Sequence, residues 1–335
     1  MLIALLQTKD TPRALHILER FGEGVRRSGD DTVWVKDKDD LHRVDRADVA
    51  VQICVANKHH DGTPVALFRL EAARRLSAAG KRVVTVDTGF LKSQPEAEVE
   101  GNPLALSRVF DPGDPSTFGK YDDRIYYSVG YDGIKGGADY CTTGAPADRW
   151  EALGVKLRPW RKAGAHVVVV GQTYQGLSSQ HVDVYAWYKK VMLGVRNRSG
   201  RSVVFRPHPR IGKSHPARRG RDRDRMKKLL KEVGGVKVST SPHLADDLRG
   251  AWAVVCLTSN AAVWAAVRGV PVVTADRACF AYPVAEHDLA KINAPATPDR
   301  EGWTHRLSYS QWTVDEMRQG LPWQHLKPHA EKGRK

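Results

Sequence analysis

The sequence predicts an α/β protein built from two doubly wound, mostly parallel sheets. Three observations carry that expectation. Strand-length apolar runs alternate with helical segments in both halves, which is the rhythm of βαβ units. The stretch Ala251–Tyr282 reads as strand, polar turn, helix, strand, a right-handed crossover between parallel strands. The length of 335 residues exceeds one ordinary domain and fits two of about 150 residues.

Composition bounds the function. With 41% hydrophobic residues each half can bury a core, while the net charge of +15 brings a polyanionic partner or substrate into consideration, although basic composition alone is weak evidence. Four cysteines show no CxxC spacing, and Cys54 and Cys256 lie inside apolar runs, so they read as core thiols in a reducing compartment. The start, MLIALLQTKD, lacks a basic segment and a cleavage site, and no apolar run is long enough to span a bilayer. The expected location is cytoplasmic.

Leu2 to Leu6 is the first strand, and Thr11 caps a helix that has Pro12 at its first position. Val49 to Val55 forms a second buried strand, Pro64 to Ala79 a helix ending at Gly80, and Arg82 to Val86 a third strand. Ligands in such sheets sit beyond the carboxyl ends of the strands. The polar residues after the second strand, including His59 and His60, therefore face a cleft or form a solvated loop. From Phe110 to Trp160 the pattern becomes irregular and rich in glycine and aromatics, with Asp132-Gly133 placing a carboxylate beside closely approaching backbone. Asp132 either acts on a ligand or closes its own turn.

The second half opens at His166 with a buried strand ending in Gly171-Gln172-Thr173, followed by a helix from Val182 to Val195 and a strand from Ser202 to Phe205. That strand runs into Arg206-Pro207-His208-Pro209-Arg210. The prolines hold the backbone extended, so Arg206, His208 and Arg210 project from a strand end, where two guanidiniums and an imidazole suit a phosphate. From Arg196 to Lys231 there are 14 Lys and Arg against Asp222 and Asp224. This block, with Lys213, Arg218, Arg219 and Arg221, is either a contact for nucleic-acid phosphates or a solvated face.

The strand Ala253 to Leu257 ends in Thr258-Ser259-Asn260, at a carboxyl end and at the start of a helix. A phosphate fits there; capping of the helix by Ser259 or Asn260 is the alternative. Beyond Arg300 comes an aromatic tail with a capping box, Thr313 to Glu316, that opens one more helix and packs back on the body. Other chemistries are excluded: Gly212-Lys213-Ser214 lacks the earlier glycine of a phosphate loop, and there is no HExxH, no deaminase signature, no GxSxG and no dinucleotide fingerprint.

Arg206-Pro-His208-Pro together with Thr258-Ser259-Asn260 and Gly269-Val-Pro271 resembles the carboxyl-terminal domain of GT-B glycosyltransferases. The resemblance is to capsule-type and sialic-acid-type transferases and to phage-encoded DNA glycosyltransferases, and it spans about residues 126 to 326. It implies two Rossmann-like domains facing a central cleft, an acceptor domain at 1–162, a nucleotide-sugar domain at 163–299 and a C-terminal helical tail at 300–335. By the resemblance Asp132 is the catalytic carboxylate, and His208 contacts the nucleotide phosphate and aids the leaving group. Gln172, Thr173, Arg206, Arg210, Thr258, Ser259 and Asn260 hold the donor. Relatives often carry a glutamate five residues after the phosphate-turn serine; Trp264 stands there, so Glu286 is assigned to the ribose. His59, His60, Tyr131, Lys135, Lys213, Arg218, Arg219 and Arg221 are the expected acceptor or DNA contacts.

The implied reaction is metal-independent and cofactor-free transfer from a nucleotide sugar, of UDP type, to a hydroxymethylated pyrimidine in double-stranded DNA. A capsular or surface-polysaccharide acceptor is the second reading, and a non-catalytic nucleic-acid-binding protein on a transferase fold the third.

Overall fold

The computed structural model describes residues 1–7, 11–54, 64–92, 123–172, 178–179, 182–208 and 216–331, without the side chains at 64–67, 69–70, 216–219 and 221. The chain divides into two compact units. The first comprises Met1–Ile134, Ala138–Leu153 and Thr304–Lys335, and the second Lys135–Gly137 and Gly154–Trp303.

The first unit contains β1 (Leu2–Leu6), α1 (Pro12–Arg27), β2 (Asp31–Val35), α2 (His42–Arg46), β3 (Val49–Ile53), α3 (Pro64–Ala78), β4 (Val83–Thr88), β5 (Tyr126–Tyr131) and α4 (Asp148–Leu153). β2, β1, β3 and β4 are parallel neighbours in that order, and β5 joins antiparallel to β4. β1 and β3 are apolar throughout apart from Gln52 because both faces are covered: Ile3, Leu5, Val49 and Val51 pack with Ile17, Leu18 and Phe21 of α1, and Ala4, Leu6 and Ala50 pack with Phe68 and Leu76 of α3. Thr11 caps α1 as expected, its hydroxyl accepting from the Ala14 N–H at 3.4 Å.

Two strands of this sheet have no apolar run to announce them. β2, DTVWV, is an edge strand exposed at Asp31, half-buried from Thr32 to Trp34 and buried only at Val35. β5 lies in the segment expected to be irregular, and its sequence, YYSVGY, mixes tyrosines, serine and glycine although every residue after Tyr126 is buried. Val55, expected in the second strand, falls outside the described residues.

The second unit contains β6 (His166–Val170), α5 (Val184–Arg198), β7 (Ser202–Arg206), α6 (Pro216–Val233), β8 (Val236–Val238), α7 (Leu244–Leu248), β9 (Ala251–Val255), α8 (Ala261–Val267) and β10 (Val272–Val273). All five strands are parallel, in the order β10-β9-β6-β7-β8. Asp183 caps α5 by accepting from Tyr185 and Ala186 N–H groups at 2.9 and 3.2 Å. Tyr188 and Met192 of α5 pack on Val167, Val169, Phe205 and Val255 of the sheet.

After α9 (Glu301–Tyr309) the tail returns to the first unit as β11 (Gln311–Thr313), α10 (Val314–Gln319) and α11 (Leu321–Leu326). β11 pairs antiparallel with β5 and completes a six-stranded sheet. The expected capping box is present, with Thr313 and Glu316 each bonding the other's backbone N–H. α10 lies so close to α1 that a Cβ at Gly24 would stand 1.9 Å from the Met317 carbonyl oxygen. Arg149 pins the tail by stacking 3.8 Å above the Trp312 ring while donating to Glu316 Oε1 at 2.6 Å. Among the described residues no helix is long and apolar enough to cross a membrane.

Asp30 is a second pin. Its carboxylate accepts from the Trp323 indole at 2.7 Å and pairs with Lys327 at 2.8 Å and the Met1 amino group at 2.7 Å. Burial alone would push this carboxyl up, but the hydrogen bonds from these three partners outweigh it and hold it at about 2. A folded-state value below the ordinary one stabilises the fold above the ordinary carboxylate range, and that stability is lost as pH falls toward the depressed value. The melting temperature should therefore drop steeply between about pH 4 and pH 2, and Asp30→Asn should lower it at pH 7 while flattening that acid limb. Identical acid limbs in the two proteins would show that Asp30 does not set it.

Candidate active site

A parallel sheet offers its crevice where strand order reverses. In the second unit the chain lays β7 and β8 on one side of β6 and β9 and β10 on the other, so the reversal falls between β6 and β9. Gln172 follows β6, and Thr258-Ser259-Asn260 follows β9. The fold thus brings these sequence-distant residues together at the carboxyl edge.

Gln172, buried at 5% exposure, is the hub. Its side-chain carbonyl accepts from the Thr258 and Ser259 N–H groups at 2.8 and 2.9 Å; the opposite amide orientation would set NH₂ against N–H. Thr258 Oγ1 lies 2.9 Å from that same oxygen and 3.0 Å from Ser178 Oγ. Lys135 donates to Ser178 Oγ at 3.1 Å and to the Thr258 carbonyl at 2.8 Å. Tyr188 braces the hub from below: its hydroxyl donates to the Gln172 carbonyl at 2.8 Å and accepts from the Gln172 N–H. Burial pushes the Tyr188 phenol well above its usual range, so it stays a neutral donor.

His208 joins this edge from β7. The Gly171 N–H donates to the Arg206 carbonyl at 2.8 Å, and a Cβ on Gly171 would stand 2.8 Å from the His208 nitrogen. Only glycine lets the chain after β7 lie this close to the end of β6. The segment carrying Lys135 is seated as tightly, with the Gly136 N–H on the Ala278 carbonyl at 3.0 Å.

Several expectations are corrected here. Arg206 does not reach toward a ligand: its guanidinium donates to the Ser241, His243 and Pro242 carbonyls at 3.1, 3.3 and 3.1 Å and pairs with the buried Asp247. The side chain of Arg206 turns into the loop between β8 and α7. Glu286 is likewise spent. Its oxygens accept from the His287, Asp288 and Ala296 N–H groups at 2.9, 3.0 and 3.3 Å. Burial would raise its carboxyl, yet these backbone bonds hold it below the usual range. The Thr258 and Ser259 N–H groups, expected to cradle phosphate, are already taken by Gln172, and Ser259 Oγ accepts from the Ala261 N–H at 3.2 Å, which is the capping alternative. Asn260 makes no side-chain cap.

In the first unit Tyr131 is corrected from a contact residue to a core residue. It is fully buried, beneath the Arg82 guanidinium at 3.9 Å, and its hydroxyl donates to the Leu326 carbonyl. Asp132 is a strut. Its two oxygens accept from the Val83 N–H at 2.9 Å and from Arg82 Nε at 2.8 Å. Because β5 runs antiparallel to β4, this places Asp132 at the amino-terminal end of β4, the edge away from the strands' carboxyl ends. Arg82 also holds Asp139 at 2.8 Å, so the two carboxylates share one buried guanidinium.

His59, His60, Thr173, Arg210 and Lys213 lie outside the described residues; Arg218, Arg219 and Arg221 lie on α6, and their side chains lie outside them as well. The further cations of α6, Arg223, Arg225, Lys227, Lys228 and Lys231, are exposed. Among the described residues no group of three or more His, Cys, Asp and Glu side chains is arranged to hold a metal ion.

Sequence reasoning missed Ser178, Tyr188 and Asp247. Ser178 follows the β6 turn in GQTYQGLSS, where a polar loop signal was readable; Tyr188 and Asp247 sit in helical segments without any local mark of a partner. It also missed His16 of α1, whose Nε2 lies 2.6 Å from Asp123 Oδ1. Asp123 lies just ahead of β5, whose Tyr127 pairs with Thr88 at the carboxyl end of β4.

No family model matches the sequence, and no curated protein matches it. Solved structures do. The KpsC β-Kdo 2,7 transferase of Thermosulfurimonas dismutans is similar over 98% of this chain and 100% of that one, with a TM-score of 0.51 and 13% identity. The β-Kdo 2,4 transferase of the same organism covers 92% of this chain and 90% of its own, with a TM-score of 0.48 and 11% identity. A UDP-N-acetylglucosamine 2-epimerase from Listeria monocytogenes covers 99% and 97%, with a TM-score of 0.29 and 12% identity. The likeness to the first is one of fold: two Rossmann-like units of the GT-B kind.

Proposed function

We propose, from a GT-B-type fold with a polar cluster at the switch point of its second sheet, that this chain transfers a sugar from a nucleotide-sugar donor to an acceptor hydroxyl. The observation that carries the reading is the meeting of Gln172, Ser178, Thr258 and Lys135 at that switch point, with His208 on the adjoining strand end. The donor's phosphates would meet the Lys135 ammonium and the Ser178 hydroxyl in place of the occupied N–H groups. His208 would donate to the departing phosphate, whose charge grows as the glycosidic bond breaks. An acceptor hydroxyl needs a base. With Asp132 tied to Arg82, the His16 imidazole, 2.6 Å from Asp123, is the candidate we put forward.

The acceptor we favour is duplex DNA carrying hydroxymethylated pyrimidines, and the donor a UDP-sugar, used without metal or cofactor. The exposed cations of α6 support a phosphate-rich acceptor. The fold likeness to a protein described as a β-Kdo transferase favours a second reading, an acidic surface polysaccharide. The test incubates the protein with a panel of nucleotide sugars and either DNA containing 5-hydroxymethylcytosine or 5-hydroxymethyluracil, or acidic capsular oligosaccharide, and weighs the nucleosides and glycans by mass spectrometry. A sugar-sized gain on one base is expected. Gain only on the glycan would establish the second reading, and salt-sensitive DNA binding without transfer would leave a non-catalytic binder.

A further inference from the structure

The second unit buries two thiols against each other. Cys256 Sγ and Cys279 Sγ are 3.9 Å apart, and both residues are 1% exposed. Cys256 directly follows β9 and is held there by its N–H on the Val273 carbonyl at 3.2 Å. Cys279 belongs to the segment after β10, in which Ala275 and Arg277 are exposed, and a local opening of that segment would admit a small oxidant. We propose that Cys256 and Cys279 are a disulfide-forming site, oxidised by a peroxide in the folded protein. Closing the bond needs the sulfurs to approach from 3.9 Å to about 2.05 Å, which requires a movement of both side chains and of the backbone that carries them.

The chemistry balances with one peroxide. The Cys279 sulfur attacks a peroxide oxygen, the O–O bond breaks, and one water leaves as the sulfenic acid forms. The Cys256 sulfur then attacks that sulfenic sulfur and expels its hydroxyl as a second water, so two thiols lose two protons and two electrons and the peroxide gains them. The reverse order gives the same product, because either sulfur can be the donor in the hydrogen bond between them. Cys54 and Cys141 stand in the first unit and serve as internal controls; burial pushes the Cys141 thiol up to about 11. The bond would tie the end of β9 to the segment on which Gly136 is seated.

The native full chain is treated with hydrogen peroxide, the remaining thiols are blocked, and the protein is digested without reduction. Trypsin places Cys256 in Gly250–Arg268 and Cys279 in Ala278–Lys291, so one cross-linked peptide identifies the bond. Thiols titratable after denaturation should fall from four to two and return with a reductant. Cys256→Ser and Cys279→Ser should each remove the cross-link, with a trappable sulfenic acid accumulating on whichever of the two thiols remains. Over-oxidation of Cys279 without a cross-link, unchanged thiol titre, or a cross-link through Cys54 or Cys141 would overturn the proposal.

Discussion

Arg206→Ala is expected to destabilise the second unit by about 3–5 kcal/mol, the usual cost of stranding one partner of a buried ion pair. The Arg206 and Asp247 side chains are 11% and 9% exposed, and the guanidinium also satisfies three carbonyls of the loop after β8. Ser239 Oγ, 2.7 Å from each Asp247 oxygen, is too weak a partner to hold the charge alone. The expected readout is a large fall in the urea midpoint of the second unit's transition. Because the loss comes from an unpaired buried charge, the double variant Arg206→Met with Asp247→Leu should recover most of it. Nucleotide affinity of Arg206→Ala, measured in the cold where it is folded, should match the native protein. Lost affinity with an unchanged midpoint would restore the phosphate-binding role that the sequence suggests for Arg206.

His208→Ala is expected to reduce turnover by about 10²–10³-fold with the fold intact, the range for removing one donor from a developing oxyanion. The close approach at Gly171 fixes the backbone nitrogen of His208 beside the end of β6, so the imidazole works from a rigid base. A donor that acts on the leaving phosphate only in the transition state lowers kcat and leaves ground-state binding alone. The split between kcat and the dissociation constant for the donor is therefore the diagnostic. His208→Gln, which keeps an N–H donor, should lose less than His208→Ala. Turnover within threefold of the native value in His208→Ala would remove His208 from the proposed reaction.

The two residues show how one motif divides. Arg206 and His208 flank one proline, and residue type alone gave both to the phosphate. Asp247, forty-one positions later, takes Arg206 because β8 and α7 return beside β7. Nothing near Arg206 in the chain announces that return. Glu286 differs, since the N–H groups that saturate it come from the loop it sits in, from His287 and Asp288 to Ala296.

The sequence by itself determined the class of this protein. Continuous apolar runs such as Val167–Val170 and Ala253–Val255 can be buried only between two helical layers, and local caps at Thr11 and Thr313 need no distant partner. It also placed Gln172, His208 and Thr258 at strand ends, because strand direction is written in the order of strand, turn and helix. The tertiary structure decided which polar groups remain available there. Hydrogen-bond saturation is a property of contacts between remote segments: Gln172 occupies the Thr258 and Ser259 N–H groups, Arg82 claims Asp132, and β5 and β11 become strands through pairing, without an apolar run of their own.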